Sequence, residues 1–360
     1  MAEIISIATA LPAFCHRQDE IINLMAKVYG LDATEKRKLS FLYNHCGIET
    51  RYSVIDDYSL PEEEWDFIPQ QVGECFPSLE KRMEIFDKEA LALSLTAINK
   101  CIDGFIEPKD ITHLITVSCT GMSAPGLDLQ IAEAMELSPN LFRTSVNFMG
   151  CYAAIHALKL AKMICDTTPV ANVVIADTEL CTLHFQKEYT PDNAASSLLF
   201  ADGSAAVLVS NNIKTQNSIS LKGFYSQVSF KGKNAMSWEL SSKGFLMKLS
   251  GYVPQLIEED INTLVNASLA HHKTDKKDIT HWCIHPGGKK ILQVIEQKLG
   301  LQKEDMCYSK TVLEKYGNMS SPTILFVLKD MMQNMQKGAN VFGVAFGPGL
   351  TMETFLASKI

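Results

Sequence analysis

The ten cysteines of this 360-residue chain include no C-x-x-C pair and follow no regular spacing. That excludes a zinc knuckle and a disulfide scaffold, and leaves most of them as small residues for a packed interior. No apolar run approaches the length needed to cross a bilayer, and the opening Met1-Ala2-Glu3-Ile4-Ile5 carries an acid where a secretory leader carries bases. Membrane insertion is therefore not expected, and a reducing cytoplasm is. Positive charge is short as well: 33 Lys and Arg against 41 Asp and Glu give a net charge of −8. A nucleic-acid-coating surface does not fit that balance, and an anionic substrate needs a local basic patch, for which Lys36-Arg37-Lys38 and Lys289-Lys290 are candidates. What is present is an ordinary globular composition, 46% hydrophobic and 21% charged. The length exceeds one hydrophobic core, so two packed domains or one large duplicated fold is expected.

An internal echo favours duplication. Asp110-Ile111-Thr112-His113 leads into an apolar strand pattern, and Asp278-Ile279-Thr280-His281 leads into another. Gly150-Cys151 and Gly317-Asn318 then open two apolar helix patterns in nearly the same register. Strand-like runs at Val170 to Ala176, Ala205 to Ser210 and Val341 to Phe346 alternate with helical patterns at Lys88 to Cys101, Ala153 to Ile164 and Pro322 to Met332. This is α/β layering. The helix after Cys151 is apolar nearly all round and belongs in the interior. Asn211 to Asn234, polar and irregular, reads as the crossover between halves, and Asp56 to Gln71 as a surface loop.

Three residues carry candidate chemistry. Cys151 sits where a glycine turn feeds a helix, and the unpaired N–H groups and dipole of a first helical turn favour thiolate over thiol. His285 precedes Pro286-Gly287-Gly288 at the end of an apolar strand, where side chains reach the crevice at the carboxyl ends of a sheet. Asn318 stands at a helix start in Tyr316-Gly317-Asn318-Met319-Ser320-Ser321. Taken singly, these are a core cysteine, a structural histidine and an N-cap. If the halves are related by a pseudo-two-fold axis, Cys151 and Asn318 begin equivalent helices that converge beside His285. Cys, His and Asn suffice for acyl transfer through a thioester: imidazole takes the thiol proton, sulfur attacks a carbonyl, and N–H donors hold the developing oxyanion or enolate. Phe346-Gly347-Pro348-Gly349 lacks the lysine of a phosphate loop and the dinucleotide spacing, and reads as a tight turn lining a cavity.

These motifs together resemble the type III polyketide synthases, the chalcone and stilbene synthase family, with matching order from about Ile4 to Thr354. The resemblance implies a thiolase-type duplicated five-layered αβαβα fold. Its halves would be 1–215, with the nucleophilic cysteine, and 216–360, with the histidine and asparagine. It implies a homodimer that uses coenzyme A thioesters directly, with no metal. Cys151 would take the starter acyl group, while His285 and Asn318 promote decarboxylation of malonyl-CoA and hold the enolate that attacks the Cys151 thioester. By the same match Phe200 is a gatekeeper phenylalanine and Met247 replaces the second. Thr120, Cys181, His184, Ser320 and Gly349 fall on pocket positions. Ser196 and Trp238 stand where plant chalcone synthases have glycine, filling space that a bulky aromatic starter needs. A flexible thioether with a changed floor points to an aliphatic starter. For the coenzyme A phosphates Lys38 matches, Phe41 and His45 depart from the basic pattern, and Gly288 and Lys290 are the remaining candidates.

Competing readings are a ketoacyl synthase III-like enzyme of lipid synthesis, a cysteine hydrolase with the same Cys, His, Asn order, and a non-catalytic scaffold. Starter, number of extensions and cyclisation mode stay open, because they depend on cavity volume.

Overall fold

The computed structural model describes residues 1–70 and 76–360. Gln71, the end of the stretch read as a surface loop, and Cys75 lie outside the described residues. The first 210 residues form β1 (Glu3–Ala10), β2 (Phe14–Arg17), α1 (Gln18–Val28), α2 (Ala33–His45), β3 (Thr50–Ser53), α3 (Leu79–Ile102), β4 (His113–Ser118), α4 (Leu127–Ala134), β5 (Phe142–Asn147), α5 (Ala153–Thr167), β6 (Asn172–Leu180), α6 (Pro191–Leu199) and β7 (Asp202–Ser210). The remainder forms β8 (Ile219–Val228), β9 (Met236–Ser241), β10 (Gly244–Leu249), α7 (Val253–His271), β11 (His281–Ile284), α8 (Lys289–Leu299), α9 (Cys307–Tyr316), α10 (Pro322–Asn334), β12 (Asn340–Gly347) and β13 (Thr351–Lys359).

Among the described residues nine strands make one sheet, ordered β11-β12-β13-β8-β1-β7-β6-β4-β5. Outward from the central β1/β8 pair the two arms repeat each other: β7, β6 and β4 on one side, β13, β12 and β11 on the other. In each arm the outer of these pairings is parallel and the inner ones antiparallel. The first arm carries β5 as a further edge strand. The echo in the sequence is physical. The Thr112 hydroxyl donates to the Asn172 carbonyl and the Thr280 hydroxyl to the Asn340 carbonyl, each at 3.0 Å. The Asn172 and Asn340 amides donate to the Asp110 and Asp278 carbonyls, again each at 3.0 Å. The same short motif thus ties strand entry to its neighbour in both arms.

Apolar packing sets the layers. Helices α5 and α10 share one interior cluster with strands of both arms. The opposite face of the first arm is covered by α3, and that of the second by α7 and α8. Helix, sheet, helix, sheet, helix is the thiolase-type α/β arrangement. Helix α5 goes inside because Ala153, Ala154, Ile155, Ala157, Leu158 and Ala161 leave no polar group on its inner faces, and all six are fully buried.

Two expectations are corrected. The polar stretch from Asn211 to Asn234 contains β8, which pairs with β1 and β13 at the centre of the sheet. Its Ser, Lys and Gln content hid a strand whose apolar residues alternate only locally. The segment starting at Asp56 is no simple surface loop. Tyr58, Trp65, Phe67 and Ile68 are buried, and the fully buried Asp57 carboxylate accepts from the backbone N–H groups of Phe67 at 3.0 Å and Ile68 at 2.6 Å. The described cysteines are mostly buried, Cys15 and Cys307 being exposed.

Candidate active site

Cys151 is presented by a turn that only particular residues can make. After β5 the backbone turns left-handed at Phe148 (φ 58°) and Gly150 (φ 75°), and one turn of tight helix, Gly150–Tyr152, leads into α5. A Cβ on Gly150 would lie 2.1 Å from Cδ of Pro348, and one on Gly347 would lie 2.5 Å from Cδ1 of Tyr152 and 3.3 Å from the Cys151 nitrogen. The Gly-Cys turn and the Phe-Gly-Pro-Gly turn are therefore pressed together, and glycine is the residue that lets them close. The Gly150 N–H donates to Sγ of Cys119 at 3.0 Å.

His285 follows β11 directly, its N–H donating to the Val344 carbonyl at 2.9 Å. Its ring is buried and, among the described residues, neither ring nitrogen has a hydrogen-bond partner. Asn318 does not begin a helix, contrary to the sequence expectation. It forms a parallel bridge with Phe200, the Asn318 N–H donating to the Leu199 carbonyl at 2.9 Å and the Ala201 N–H to the Asn318 carbonyl at 3.0 Å, and α10 starts four residues later at Pro322. The amide is oriented by its surroundings: Oδ1 accepts from the Ser320 N–H at 2.9 Å and Nδ2 donates to the Gly287 carbonyl at 3.3 Å. Behind this bridge the buried Arg51 donates from Nη1 to the Phe200 carbonyl at 2.6 Å and from Nε to Oε1 of Gln18 at 3.0 Å.

Cys151, His285 and Asn318 line one cavity of about 300 Å³. Thr120, Cys181, Phe200, Trp238, Met247 and Ser320 also line it, and Gly288 and Lys290 lie along it with Lys289. The Trp238 indole is fixed by donation to the Cys119 carbonyl at 2.7 Å. Four expected positions fall elsewhere. Lys38 is exposed on α2 and does not line the cavity, although Leu42 and His45, further along the same helix, do. Gly349 (φ 71°) shapes the turn while Phe346 and Pro348 supply its lining atoms. His184 is locked in the core: Nε2 donates to the Thr120 carbonyl at 2.7 Å and Nδ1 accepts from the Phe245 N–H at 3.0 Å. Ser196, whose hydroxyl donates to the Asp192 carbonyl at 2.8 Å, lines with His184 a second, smaller chamber.

Burial governs the ionisation of these groups. It pushes the Cys151 thiol up to about 12, against a hydrogen bond from the Ser320 side chain that favours the thiolate. It pulls the His285 imidazole down to about 3. The expectation that the helix start alone favours thiolate is therefore overturned: desolvation outweighs the terminal dipole, and α5 proper begins only at Ala153. Burial thus favours the uncharged form of both groups.

Two carboxylates were not anticipated. Asp177 and Glu179 sit side by side on one face of β6, both fully buried. Glu179 accepts from the Thr120 hydroxyl at 2.6 Å and the Cys119 N–H at 2.9 Å, and Asp177 accepts from the Ser321 hydroxyl at 2.5 Å. Burial raises Glu179 to about 7, and burial together with the neighbouring Glu179 charge raises Asp177. The signal was available: two acids continue an otherwise apolar strand, where an unpaired charge is costly. Among the described residues, no group of three or more His, Cys, Asp or Glu side chains is placed to hold a metal ion, and no helix is long and apolar enough to cross a membrane.

Comparison with known proteins gives one consistent answer. The family profile "Chalcone and stilbene synthases, N-terminal domain" matches residues 1–212, and "Chalcone and stilbene synthases, C-terminal domain" matches residues 224–360. Type III polyketide synthase A of Arabidopsis thaliana is 29% identical over 100% of this chain and 93% of its own length. Type III polyketide synthase C of the same plant is 28% identical over 100% of this chain and 95% of its own. Among solved structures, the C-terminal type III polyketide synthase domain of Steely1, a type I/III hybrid from Dictyostelium, superposes with a TM-score of 0.92 at 26% identity, covering 100% of this chain and 99% of that one. PKS-I from the brown alga Ectocarpus siliculosus gives a TM-score of 0.90 at 25% identity, covering 100% and 98%.

Proposed function

Since the chain belongs to the chalcone and stilbene synthase family and is a type III polyketide synthase, an acyltransferase, we propose that Cys151 carries the acyl chain and that His285 and Asn318 act on malonyl-CoA. The observation that carries this reading is the shared cavity, in which a buried thiol, an imidazole with both nitrogens unpartnered and an oriented carboxamide meet. An acyl-CoA starter enters past Lys289 and Lys290, and its carbonyl meets Cys151. The imidazole takes the thiol proton as sulfur attacks, so charge appears only when the thioester is there to disperse it. Coenzyme A leaves as its thiol, taking that proton. Malonyl-CoA then loses carbon dioxide, and the enolate oxygen is held by N–H donors of His285 and Asn318. The enolate carbon attacks the Cys151 thioester, forms the new carbon-carbon bond and releases the cysteine.

Asn318 favours condensation over hydrolysis. A cysteine hydrolase uses such an amide's oxygen to orient the imidazole, whereas here that oxygen accepts from the Ser320 N–H and, among the described residues, is bonded to neither imidazole nitrogen. The neutral amide donates a hydrogen bond without bringing an acid that would protonate a carbanion or a base that would activate water.

The same reading includes a homodimer of two-part subunits, 1–215 and 216–360, in a reducing cytoplasm. Support for the dimer comes from β5, an edge strand whose one charged residue is Arg143 and whose Phe142 is 69% exposed; Met122 is exposed too. The test is intact-mass detection of acyl groups on Cys151 after incubation with acyl-CoAs from acetyl to long-chain, followed by malonyl-CoA and product analysis. Acylation of Cys151→Ala at the wild-type level, or full product from that variant, refutes the assignment. Preference for an acyl carrier protein as extender donor would move the reading to a ketoacyl synthase III-like enzyme.

A further inference from the structure

The cavity has a neighbour. A chamber of about 30 Å³ lies behind its inner wall and shares Cys181, Phe200, Trp238 and Met247 with it. Arg51, Tyr58, Thr182, Asn193 and Ser196 contribute polar groups to its lining, beside the apolar Phe185 and Phe245. Arg51 is only 3% exposed; its Nε and Nη1 are committed to Gln18 and the Phe200 carbonyl, and Nη2 is buried with no partner among the described residues. The nearby Asp202 does not satisfy it. That carboxylate accepts from the Thr182 hydroxyl, from the Thr182 N–H at 2.8 Å and from the Val54 N–H at 2.9 Å, and it does not line the chamber. A guanidinium N–H left unpaired in the interior is costly, and an acceptor brought to it by a ligand recovers that cost.

Between the two spaces stand a pinned residue and an adaptable one. Trp238 is held by its bond to the Cys119 carbonyl, whereas Met247 is an unbranched thioether with several low-energy rotamers. Met247 lines both spaces and, among the described residues, has no side-chain hydrogen bond to break, so it is the wall residue that must move for a chain to pass from one to the other. The chamber is small, so what enters is the end of a short chain.

We propose that the Arg51 chamber binds the far end of the starter, and that this end carries a carboxylate: the preferred starter is a short dicarboxylic acid held as its mono-thioester. This rests on the polyketide synthase reading and narrows its starter class. The aliphatic spacer suits the apolar cavity wall, the carboxylate meets Arg51, and the thioester end meets Cys151. Loading is ordinary acyl exchange: the Cys151 sulfur–carbon bond forms, the coenzyme A sulfur–carbon bond breaks, and the thiol proton passes to the departing thiolate.

The test is the rate of Cys151 acylation, read by intact mass without malonyl-CoA, for succinyl-CoA and glutaryl-CoA against the apolar butyryl-CoA and valeryl-CoA. A charge-assisted hydrogen bond predicts a preference of about tenfold or more for the acids. Arg51→Lys should reduce that preference. Because Arg51 also braces Phe200, a second measurement uses the wild type alone: the monomethyl esters of succinyl-CoA and glutaryl-CoA, which keep the chain and lose the charge, should load no faster than valeryl-CoA. Equal or faster loading of butyryl-CoA by the wild type overturns the inference and leaves the polyketide synthase reading intact. Failure of every acyl-CoA to label Cys151 overturns both.

Discussion

Gly150→Ala tests how the nucleophile is held. Two costs are separable. An L-residue at φ 75° pays the left-handed backbone penalty of about 1–2 kcal/mol. A methyl group 2.1 Å from Pro348 Cδ adds an overpacking cost of about 1–3 kcal/mol, since both partners belong to tight turns. The sum is about 2–5 kcal/mol. Gly104→Ala is the control, because Gly104 has φ 76° and nothing within 4 Å of a new Cβ, so only the backbone penalty applies. Chemical denaturation of wild type, both single variants and Gly150→Ala with Pro348→Ala should place Gly150→Ala lowest, with the double variant recovering part of the loss. Acylation of Cys151 should fall in Gly150→Ala and not in Gly104→Ala, because the same turn aims the sulfur. If Gly150→Ala matches Gly104→Ala in stability and the wild type in acylation, the two turns do not constrain one another and the account is wrong.

His285→Ala and Asn318→Ala should each depress malonyl-CoA decarboxylation by about 100-fold, the scale of one removed oxyanion donor, and more than they depress starter loading; carbon dioxide release at the wild-type rate in both would remove their assigned role. Cys151→Gln should still release carbon dioxide from malonyl-CoA but form no condensed product, and mass spectrometry of the reaction decides it. Met247→Phe should shift starter preference toward smaller acyl groups, and an unchanged product profile would show that the side chain does not limit the cavity. Glu179 holds its proton to about pH 7 when folded, above the ordinary carboxylate value near 4.5. Its contribution to stability is therefore complete below about pH 4.5 and is lost as pH rises to about 7. Over that range wild-type stability should fall more steeply than that of Glu179→Gln, and parallel curves would mean that Glu179 does not carry the raised proton affinity.

Much of the site was legible in one dimension because its constraints are local. Gly150, Gly317 and the Phe346–Gly349 run mark tight turns, and each adjoins residues that line the cavity: Cys151 after Gly150, Asn318 after Gly317, and Phe346 and Pro348 within the run. The repeated Asp-Ile-Thr-His motif announced the duplicated arms because the same hydrogen bonds recur in each. Strand β8 escaped notice because its partners β1 and β13, which determine that it is a strand, lie far away in sequence.

Residue types and turn chemistry in the sequence by themselves determined the α/β class, the duplicated motif and the candidate thiol, imidazole and carboxamide. Tertiary structure decided what surrounds them. It alone buried Cys151 deeply enough to push its thiol pKa up, placed Asn318 in a bridge to Phe200 and not at a helix start, tied His184 into the core, and left one guanidinium nitrogen of Arg51 unpaired among the described residues, in the chamber that Met247 also lines. The physical reason is that desolvation and hydrogen-bond satisfaction depend on every neighbour in space, most of which are remote along the chain.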